Sequence, residues 1–201
     1  DEARDRIEQF LHQNPKSTQA SMLLAEVCQS QLNYSAAEAI YKTLAEMAPQ
    51  DIGVHLALAK LLSETHRLPD AIALLEDLYQ QGYRDFRLMM RLGALAKAQE
   101  DLEDACYWYR LVKKYYPHKA SAYGALANVL YLLGEVDGAI TLLTDACERF
   151  PDTPEIPLRL AGIHLRFGHP QASLQILRNA HQRFPPHTVP RLQLARQYVQ
   201  Y

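Results

Sequence analysis

Histidine and cysteine are the residues of this sequence that could ligate a metal or act as nucleophiles, and their spacing argues against both roles. His164 and His169 flank Gly168, and His181 and His187 flank another expected turn, but neither pair has a third ligand at a plausible spacing. The three cysteines form no CxxC pair, so neither a structural zinc site nor a disulfide framework is expected. We therefore predict no metal site and no cofactor.

Sequence motifs of the common enzyme classes are absent. The chain has no HExxH, no GxSxG, no GxxxxGK[ST] and no GxGxxG. Its eight glycines are scattered rather than gathered into a phosphate-binding loop. Its carboxylates fall on helix faces that we expect to be solvated. We predict that the chain is not an enzyme.

Charge and hydropathy exclude two classes of partner. The net charge is −2, whereas a nucleic-acid-binding protein usually has a strong basic excess. No apolar run approaches the length of a membrane-spanning helix, and the first residues, DEARDRIEQF, are too charged for a signal peptide. We predict a soluble protein of the cytoplasm or periplasm that binds no nucleic acid and does not insert into a membrane.

The chain repeats itself every 34 residues without insertion or deletion. With position 1 at Thr18 and its equivalents, position 7 is always Leu, position 8 is Ala or Gly, and position 20 is Ala or Ser. Position 24 is Ile, Leu or Tyr. Proline recurs at position 32, with Tyr83 in the one gap of the series: Pro15, Pro49, Pro117, Pro151 and Pro185.

These columns predict two antiparallel helices, A and B, in each repeat. Positions 8 and 20 are small because two helix backbones cross closely there, and positions 20, 24 and 27 share one face of helix B. Proline at position 32 ends helix B. Cys28 and His164 occupy the core-facing position 11, so we expect a buried cysteine and a buried, hydrogen-bonded histidine.

The repeat resembles the tetratricopeptide repeat family. Residues 34–51, YSAAEAIYKTLAEMAPQD, are similar to that family's second helix. Two departures are the variable position 4, which is aromatic in the family, and Tyr83 at position 32, where we expect Gly82 to cap the helix. The resemblance implies an all-α fold, a right-handed α-solenoid of antiparallel helix pairs.

We predict a single solenoid domain over residues 1–201. It divides into half repeats at 1–17 and 188–201 and five full repeats, at 18–51, 52–85, 86–119, 120–153 and 154–187. Because the array begins and ends in half repeats, we expect either a fragment of a longer protein or a homo-oligomer joined through these ends.

The family's geometry places A-helix positions 2, 5, 6, 9, 12 and 13 on a concave face. Seven cations and three anions fall there, counting Arg196 of the last half repeat, which favours an acidic protein or peptide partner held by arginine. The alternative is a solvated face that is basic by chance. The predicted concave set is Lys60, Arg87, Met90, Arg91, Lys97, Asn128, Tyr131, Arg159 and Arg166.

Chaperone-binding members of the family use a two-carboxylate clamp across three repeats. Arg87 and Arg91 match its last pair, but Met22, Glu26 and Ala57 occupy the first three places. We therefore do not predict binding of chaperone C-termini.

An aromatic run, YWYRLVKKYYP, spans residues 107–117. Tyr107 is expected to point away from the core, and Trp108 and Tyr115 to lie half-buried on one flank of helix B. A structural stack is favoured. The alternative is a convex interface with a partner or another copy, formed by a predicted convex set of Tyr107, Trp108 and Tyr115.

These observations lead to three hypotheses on function. The first is a non-catalytic protein-interaction scaffold that binds a peptide or helix in its groove, within an assembly such as a bacterial secretion or polysaccharide-export machine. The second is a docking or regulatory domain of a larger enzyme, such as a glycosyl- or sulfotransferase. The third is a self-assembling structural scaffold.

Overall fold

The residues described by the computed structural model, 2–184, form eleven α-helices and no strand. The predicted all-α fold of helix pairs is therefore confirmed. The helices are α1 Glu2–Gln13, α2 Thr18–Ser30, α3 Tyr34–Met47, α4 Ile52–Glu64, α5 Leu68–Gln80, α6 Phe86–Ala98, α7 Leu102–Tyr115, α8 Ala120–Leu132, α9 Val136–Arg149, α10 Glu155–Arg166 and α11 Pro170–Arg183.

The helix starts follow the 34-residue period. The B helices α3, α5, α7, α9 and α11 begin at residues 34, 68, 102, 136 and 170. The A helices α2, α4, α6 and α8 begin at residues 18, 52, 86 and 120, and α10 begins one residue late because Pro154 occupies its N-cap. Side-chain oxygens accept a first-turn N–H at five starts: Ser17, Asn33, Asp51, Asp85 and Asp101.

The columns of small residues lie where helices cross. Every residue at positions 8 and 20 of the five full repeats is buried. Position 24 is also buried in the first four repeats, as Tyr41, Leu75, Tyr109 and Leu143. The predicted core columns are thus confirmed, except that Leu24 and Leu177 are only half-buried.

Position 15, between helices A and B, has a left-handed backbone in every full repeat. Leu32 and His66 both have φ = 60° and Glu100 has φ = 66°, while glycine occupies the position at Gly134 and Gly168. In four of the five full repeats the next N–H bonds back to position 11, as in Asn33 N to Cys28 O at 2.9 Å, and so satisfies a carbonyl at the helix end. These shared hydrogen bonds explain why the turn keeps one conformation with or without glycine.

The end of helix B is fixed by a polar side chain in two repeats. Tyr123 Oη donates to Pro117 O at 3.0 Å, and His55 Nε2 lies 3.0 Å from Pro49 O. Where Tyr83 replaces the proline, the expected glycine cap is confirmed, because Gly82 has φ = 101°.

The chain comprises two compact units, residues 1–100 and 101–201. The first contains α1–α6 and the second α7–α11. That all repeats form one continuous array remains a prediction. None of the helices in residues 2–184 is long and apolar enough to cross a lipid bilayer.

Candidate functional site

In the first unit, members of the predicted concave set lie on α4 and α6. Lys60, Arg87 and Lys97 are exposed, and Met90 and Arg91 are half-buried. Lys60 Nζ lies 3.7 Å from a Glu64 carboxylate oxygen one helical turn away. Its charge is therefore partly neutralised within the chain.

Arg87 is also paired within the chain. Asp85 Oδ1 accepts the backbone N–H groups of Arg87 and Leu88 at 2.8 and 3.2 Å, and it lies 3.4 Å from Arg87 Nε. Asp85 thus caps α6 and holds the arginine at the helix start. Arg91 and Lys97, by contrast, form no ion pair within residues 2–184.

In the second unit, the structure brings Arg159 of α10 onto Gly124 of α8. A Cβ at Gly124 would lie only 2.9 Å from Arg159 Cδ and Nε. The buried glycine therefore creates the space in which the arginine side chain crosses α8. The spacing of the repeat does not identify this contact: it shows Gly124 as the one small residue at position 5, where the other repeats have Met or Leu, but not which side chain fills the space.

The structure also brings together Arg166 and Tyr131, at the C-terminal ends of the same two helices. Arg166 Cζ lies 5.9 Å from the centre of the Tyr131 ring, within the range of a cation–π interaction. Arg159 and Arg166 are seven residues apart, which is about 10 Å along an α-helix. Asn128, between Gly124 and Tyr131 on α8, is half-buried.

The two arginines of α10 have no acidic partner in the described part of the chain. Neither lies within ion-pair distance of a carboxylate, although Glu155 precedes Arg159 by four residues. Their exposed guanidinium groups retain donors in the planar arrangement that suits a carboxylate. Arg196 lies outside the described residues.

Three exposed hydrophobic residues near Tyr131 and Arg166 were missed in the concave prediction. Leu132, Leu165 and Phe167 are each about half exposed, at 48%, 51% and 48%. Positions 12 and 13 contain two of them, so the sequence carried this signal. The C-terminal ends of α8 and α10 therefore combine basic and apolar groups.

The three residues of the predicted convex set differ in their exposure to solvent. Tyr107 and Tyr115 are 52% and 47% exposed, but Trp108 is buried, at 4%. The expectation that Trp108 and Tyr115 are both half-buried is wrong, because Tyr115 is exposed and Trp108 is buried. Trp108 Nε1 donates to Asp104 at 3.0 Å, and its ring packs edge-on to Tyr107. Trp108 therefore has a structural role in α7.

Among residues 2–184, no group of three or more histidine, cysteine, aspartate or glutamate side chains is placed to hold a metal ion. The His164 and His169 rings lie 5.9 Å apart. The expectation of a buried, hydrogen-bonded histidine is wrong at His164, because the side chain is half-buried and its Nδ1 has no hydrogen-bond partner in the described residues. Burial, with His169 nearby, lowers the pKa of His164. His187 lies outside the described residues.

The cysteines are unsuited to nucleophilic chemistry. Cys28 and Cys106 are buried and Cys147 is half-buried, all as free thiols. Burial raises the pKa of Cys106 and of Cys147, although Arg110 and Arg183 respectively oppose this shift. Both thiols are therefore held in the less reactive protonated form.

Comparisons with known families match most of the chain. One family model described as tetratricopeptide repeat matches residues 1–61 and 30–88, and a second with the same description matches residues 110–154 and 125–187. No curated protein shows significant sequence similarity to the chain.

Solved structures share the fold at low sequence identity. YrrB, a TPR protein with an unusual peptide-binding site, is 15% identical, with a TM-score of 0.62 over 97% of this chain and 98% of YrrB. TTC0263, a thermophilic TPR protein of Thermus thermophilus, is 22% identical, with a TM-score of 0.65 over 92% and 99%. BtubC of P. vanneervenii is 15% identical, with a TM-score of 0.70 over 90% and 87%.

Proposed function

This chain belongs to the tetratricopeptide repeat family, whose fold supports protein–protein interaction, and we propose that its A-helix surface binds an acidic segment of a partner protein. The proposal concerns chiefly the second unit. There, α8 and α10 present the two arginines, Asn128 and Tyr131 on adjoining helices.

The observation that carries the proposal is that two cations without a carboxylate partner are also positioned by neighbouring groups. In the first unit Lys60 and Arg87 have carboxylate partners, and Arg91 and Lys97 have, within the described residues, neither an ion pair nor a neighbour comparable to Gly124 or Tyr131. Arg159 and Arg166 have no carboxylate partner among residues 2–184. Both α10 arginines lie against α8: Arg159 lies in the space left by Gly124, and Arg166 lies beside the Tyr131 ring. Arginines that are positioned in advance lose less conformational entropy when a ligand binds.

The exposed apolar residues at the ends of α8 and α10 define the partner further. Leu132 follows Tyr131 at the end of α8, and Leu165 and Phe167 flank Arg166 at the end of α10. A segment that carries carboxylates followed by an apolar side chain would meet both kinds of group. YrrB, which is described as having a peptide-binding site, supports a peptide as the form of the ligand.

The experiment is a binding measurement with two fluorescent peptides that have the same apolar residues, one carrying glutamates and the other lysines at the remaining positions. We expect the acidic peptide to bind and to weaken with added salt. Arg159→Glu and Arg166→Glu should each weaken it at least about tenfold. Arg87→Glu should have a smaller effect, because Asp85 already pairs with Arg87.

The matched control is Arg178→Glu, on the exposed surface of α11 and outside the predicted concave set. It makes the same change in net charge. Equal weakening by Arg178→Glu and Arg159→Glu would show that only the overall charge matters, and the proposal would then be wrong.

A second candidate function is self-association through the first half repeat. Phe10 of α1 and Leu23 of α2 are 50% and 53% exposed, and they line an open cavity of about 340 Å³ with Ile7. A second copy could cover this apolar surface. Sedimentation across a dilution series should then show an oligomer that Phe10→Ser together with Leu23→Ser abolishes, whereas a wild-type monomer at all concentrations removes this candidate. The other half repeat, 188–201, lies outside the described residues.

A further inference from the structure

A second surface of the second unit lies between its first two B helices. Here α7 and α9 form the walls of a groove of about 680 Å³, and α8 contributes to its floor. We call this the α7–α9 groove; its lining consists of Arg110, Lys113, Lys114, Leu126, Leu130, Glu135, Gly138, Thr141, Leu142 and Asp145.

The α7–α9 groove is separate from the proposed peptide surface. Its floor residues Leu126 and Leu130 are two and six positions beyond Gly124 on α8. At about 100° per residue, Leu126 and Leu130 lie about 160° and about 120° around the helix from Gly124. A ligand in the groove would therefore touch the other face of α8 from the one that Arg159 crosses.

The two walls differ in charge. On α7, Arg110 is 3.9 Å from Glu135, while Lys113 and Lys114 form no ion pair within the described residues. The aliphatic floor of Leu126, Leu130 and Leu142 is buried beneath them. The groove thus has an aliphatic floor that is largely covered and, on α7, two lysines without a carboxylate partner in the described residues. Lys113 Nζ lies 5.6 Å from the centre of the Tyr123 ring and Lys114 Nζ 5.8 Å from that of Tyr115. The α9 wall carries the carboxylate of Asp145.

Two repeats earlier, the equivalent place carries a network of ion pairs within the chain. Glu38 on α3 binds Lys42 at 2.8 Å and Arg67 at 3.0 Å, and Arg67 also binds Asp70 at 2.7 Å. In the α7–α9 groove, Arg110 and Glu135 take the places of Lys42 and Arg67, and uncharged Cys106 replaces Glu38, so the network is reduced to one ion pair at 3.9 Å.

Gly138 takes the place of Asp70 on the other wall, within helix α9. A Cβ at Gly138 would meet no atom closer than 3.9 Å, so the fold itself does not require glycine there. Because Gly138 has no side chain and Thr141, three residues further on, has a small one, another helix backbone can approach the α9 side of the groove closely.

We propose that the α7–α9 groove binds an amphipathic helix of a partner protein, with leucine-like side chains on the floor and carboxylates facing Lys113 and Lys114. Helix-in-groove recognition requires such an apolar stripe on the ligand. We infer the acidic flank because Lys113 and Lys114 have no carboxylate partner in the described residues. This site adds to the peptide surface of α8 and α10 and does not depend on it.

The probe is a synthetic amphipathic helix with leucines at i, i+3, i+4 and i+7 and glutamates on one flank. Its controls are a lysine-flanked analogue and a scrambled sequence. With the full chain, we expect saturable binding of the acidic helix, a gain in helical circular dichroism, and NMR shifts at the methyl groups of Leu126, Leu130 and Leu142.

Variants locate the binding. Lys113→Glu with Lys114→Glu, and separately Gly138→Gln, should each weaken the acidic helix at least about tenfold. Arg159→Glu with Arg166→Glu should leave it unchanged. Thermal unfolding of each variant checks that the exposed substitutions preserve the fold.

Three results would overturn the proposal. The lysine-flanked or scrambled helix binding equally well would remove the charge argument. Loss of binding through Arg159→Glu and Arg166→Glu, without loss in the groove variants, would assign the probe to the other surface. Concentration-dependent self-association that only the groove variants relieve would assign the groove to a second copy of the chain.

Discussion

Arg159 lies across Gly124, with its Cδ and Nε 2.9 Å from the point where a Cβ would stand. This contact positions an exposed arginine of α10 by means of a missing side chain on α8. The position of Arg159 on the proposed binding surface therefore depends on the absence of a side chain at Gly124. This dependence can be tested without changing any charge.

Gly124→Ala should displace Arg159 and weaken the acidic peptide by about tenfold, or about 1.4 kcal/mol. Stability should change by less than about 1 kcal/mol, because the gain in helix propensity offsets the shift of a flexible side chain. Peptide titration and urea unfolding measure the two effects. Gly138→Ala is the matched control, since its new methyl group meets nothing closer than 3.9 Å; it should stabilise the chain and leave peptide affinity unchanged.

Leu32→Gly should stabilise the protein by about 0.5–1 kcal/mol. Leu32 has φ = 60° and is 69% exposed, so glycine relieves a left-handed backbone, which costs an ordinary residue about 1–2 kcal/mol, and little buried surface is lost. Part of that gain is offset by the greater freedom of glycine in the unfolded chain. The midpoint of urea unfolding should rise. A fall would mean that the leucine side chain stabilises the turn.

Tyr123→Phe should destabilise the protein by about 1 kcal/mol. It removes the hydrogen bond from buried Tyr123 to Pro117 O and preserves the aromatic ring. The ring itself packs edge-on to Phe150, with 5.1 Å between centroids. Tyr107→Phe, at an exposed position on α7, is the control and should have almost no effect. Equal stability of Tyr123→Phe and wild type would contradict the role assigned to the hydroxyl.

Glu38 should make stability depend on pH in the acid range. Hydrogen bonds from Lys42 and then Arg67 hold the pKa of Glu38 below its ordinary value of 4.5. Between the folded and unfolded pKa values the unfolded chain binds more protons, so this stability is present above pH 4.5 and is lost as the pH falls.

Glu38→Gln should therefore lower stability at pH 7 by no more than about 1 kcal/mol, since the partner side chains are largely exposed. The difference from wild type should shrink toward pH 3. Unfolding curves across this range test the sign. Glu148→Gln, which removes an exposed carboxylate without an ion pair in the described residues, should show no such convergence.

Trp108 should report the folded state of the second unit. It is the one tryptophan of the sequence and is buried with its Nε1 bonded to Asp104. We expect blue-shifted emission that acrylamide quenches poorly, and a red shift on unfolding. Asp104→Asn should weaken the hydrogen bond and the stability with it. Strong quenching in the native protein would contradict the burial of Trp108 and restore it to the predicted convex set.

The repeating architecture follows from the amino-acid sequence alone. Leu at position 7 and small residues at positions 8 and 20 are the pattern expected where two helices cross closely. Proline and side-chain caps define where those helices begin and end. For that reason the helix starts and the core columns follow from the 34-residue grid. The 34-residue grid did not predict the left-handed backbone at position 15. Leu32, His66 and Glu100 give no local signal for this conformation, which the hydrogen bonds of the turn impose.

Which charged side chains remain available to a ligand depends instead on the folded arrangement. Both Arg87, at position 2, and Arg159, at position 6, belong to the predicted concave set. Yet Arg87 is paired with Asp85, whereas Arg159 lies over Gly124 without a carboxylate partner in the described residues. Such pairing depends on distances of a few ångströms between side chains on different elements. Helical periodicity fixes the face on which a residue lies, but it does not fix the contact that its side chain makes there.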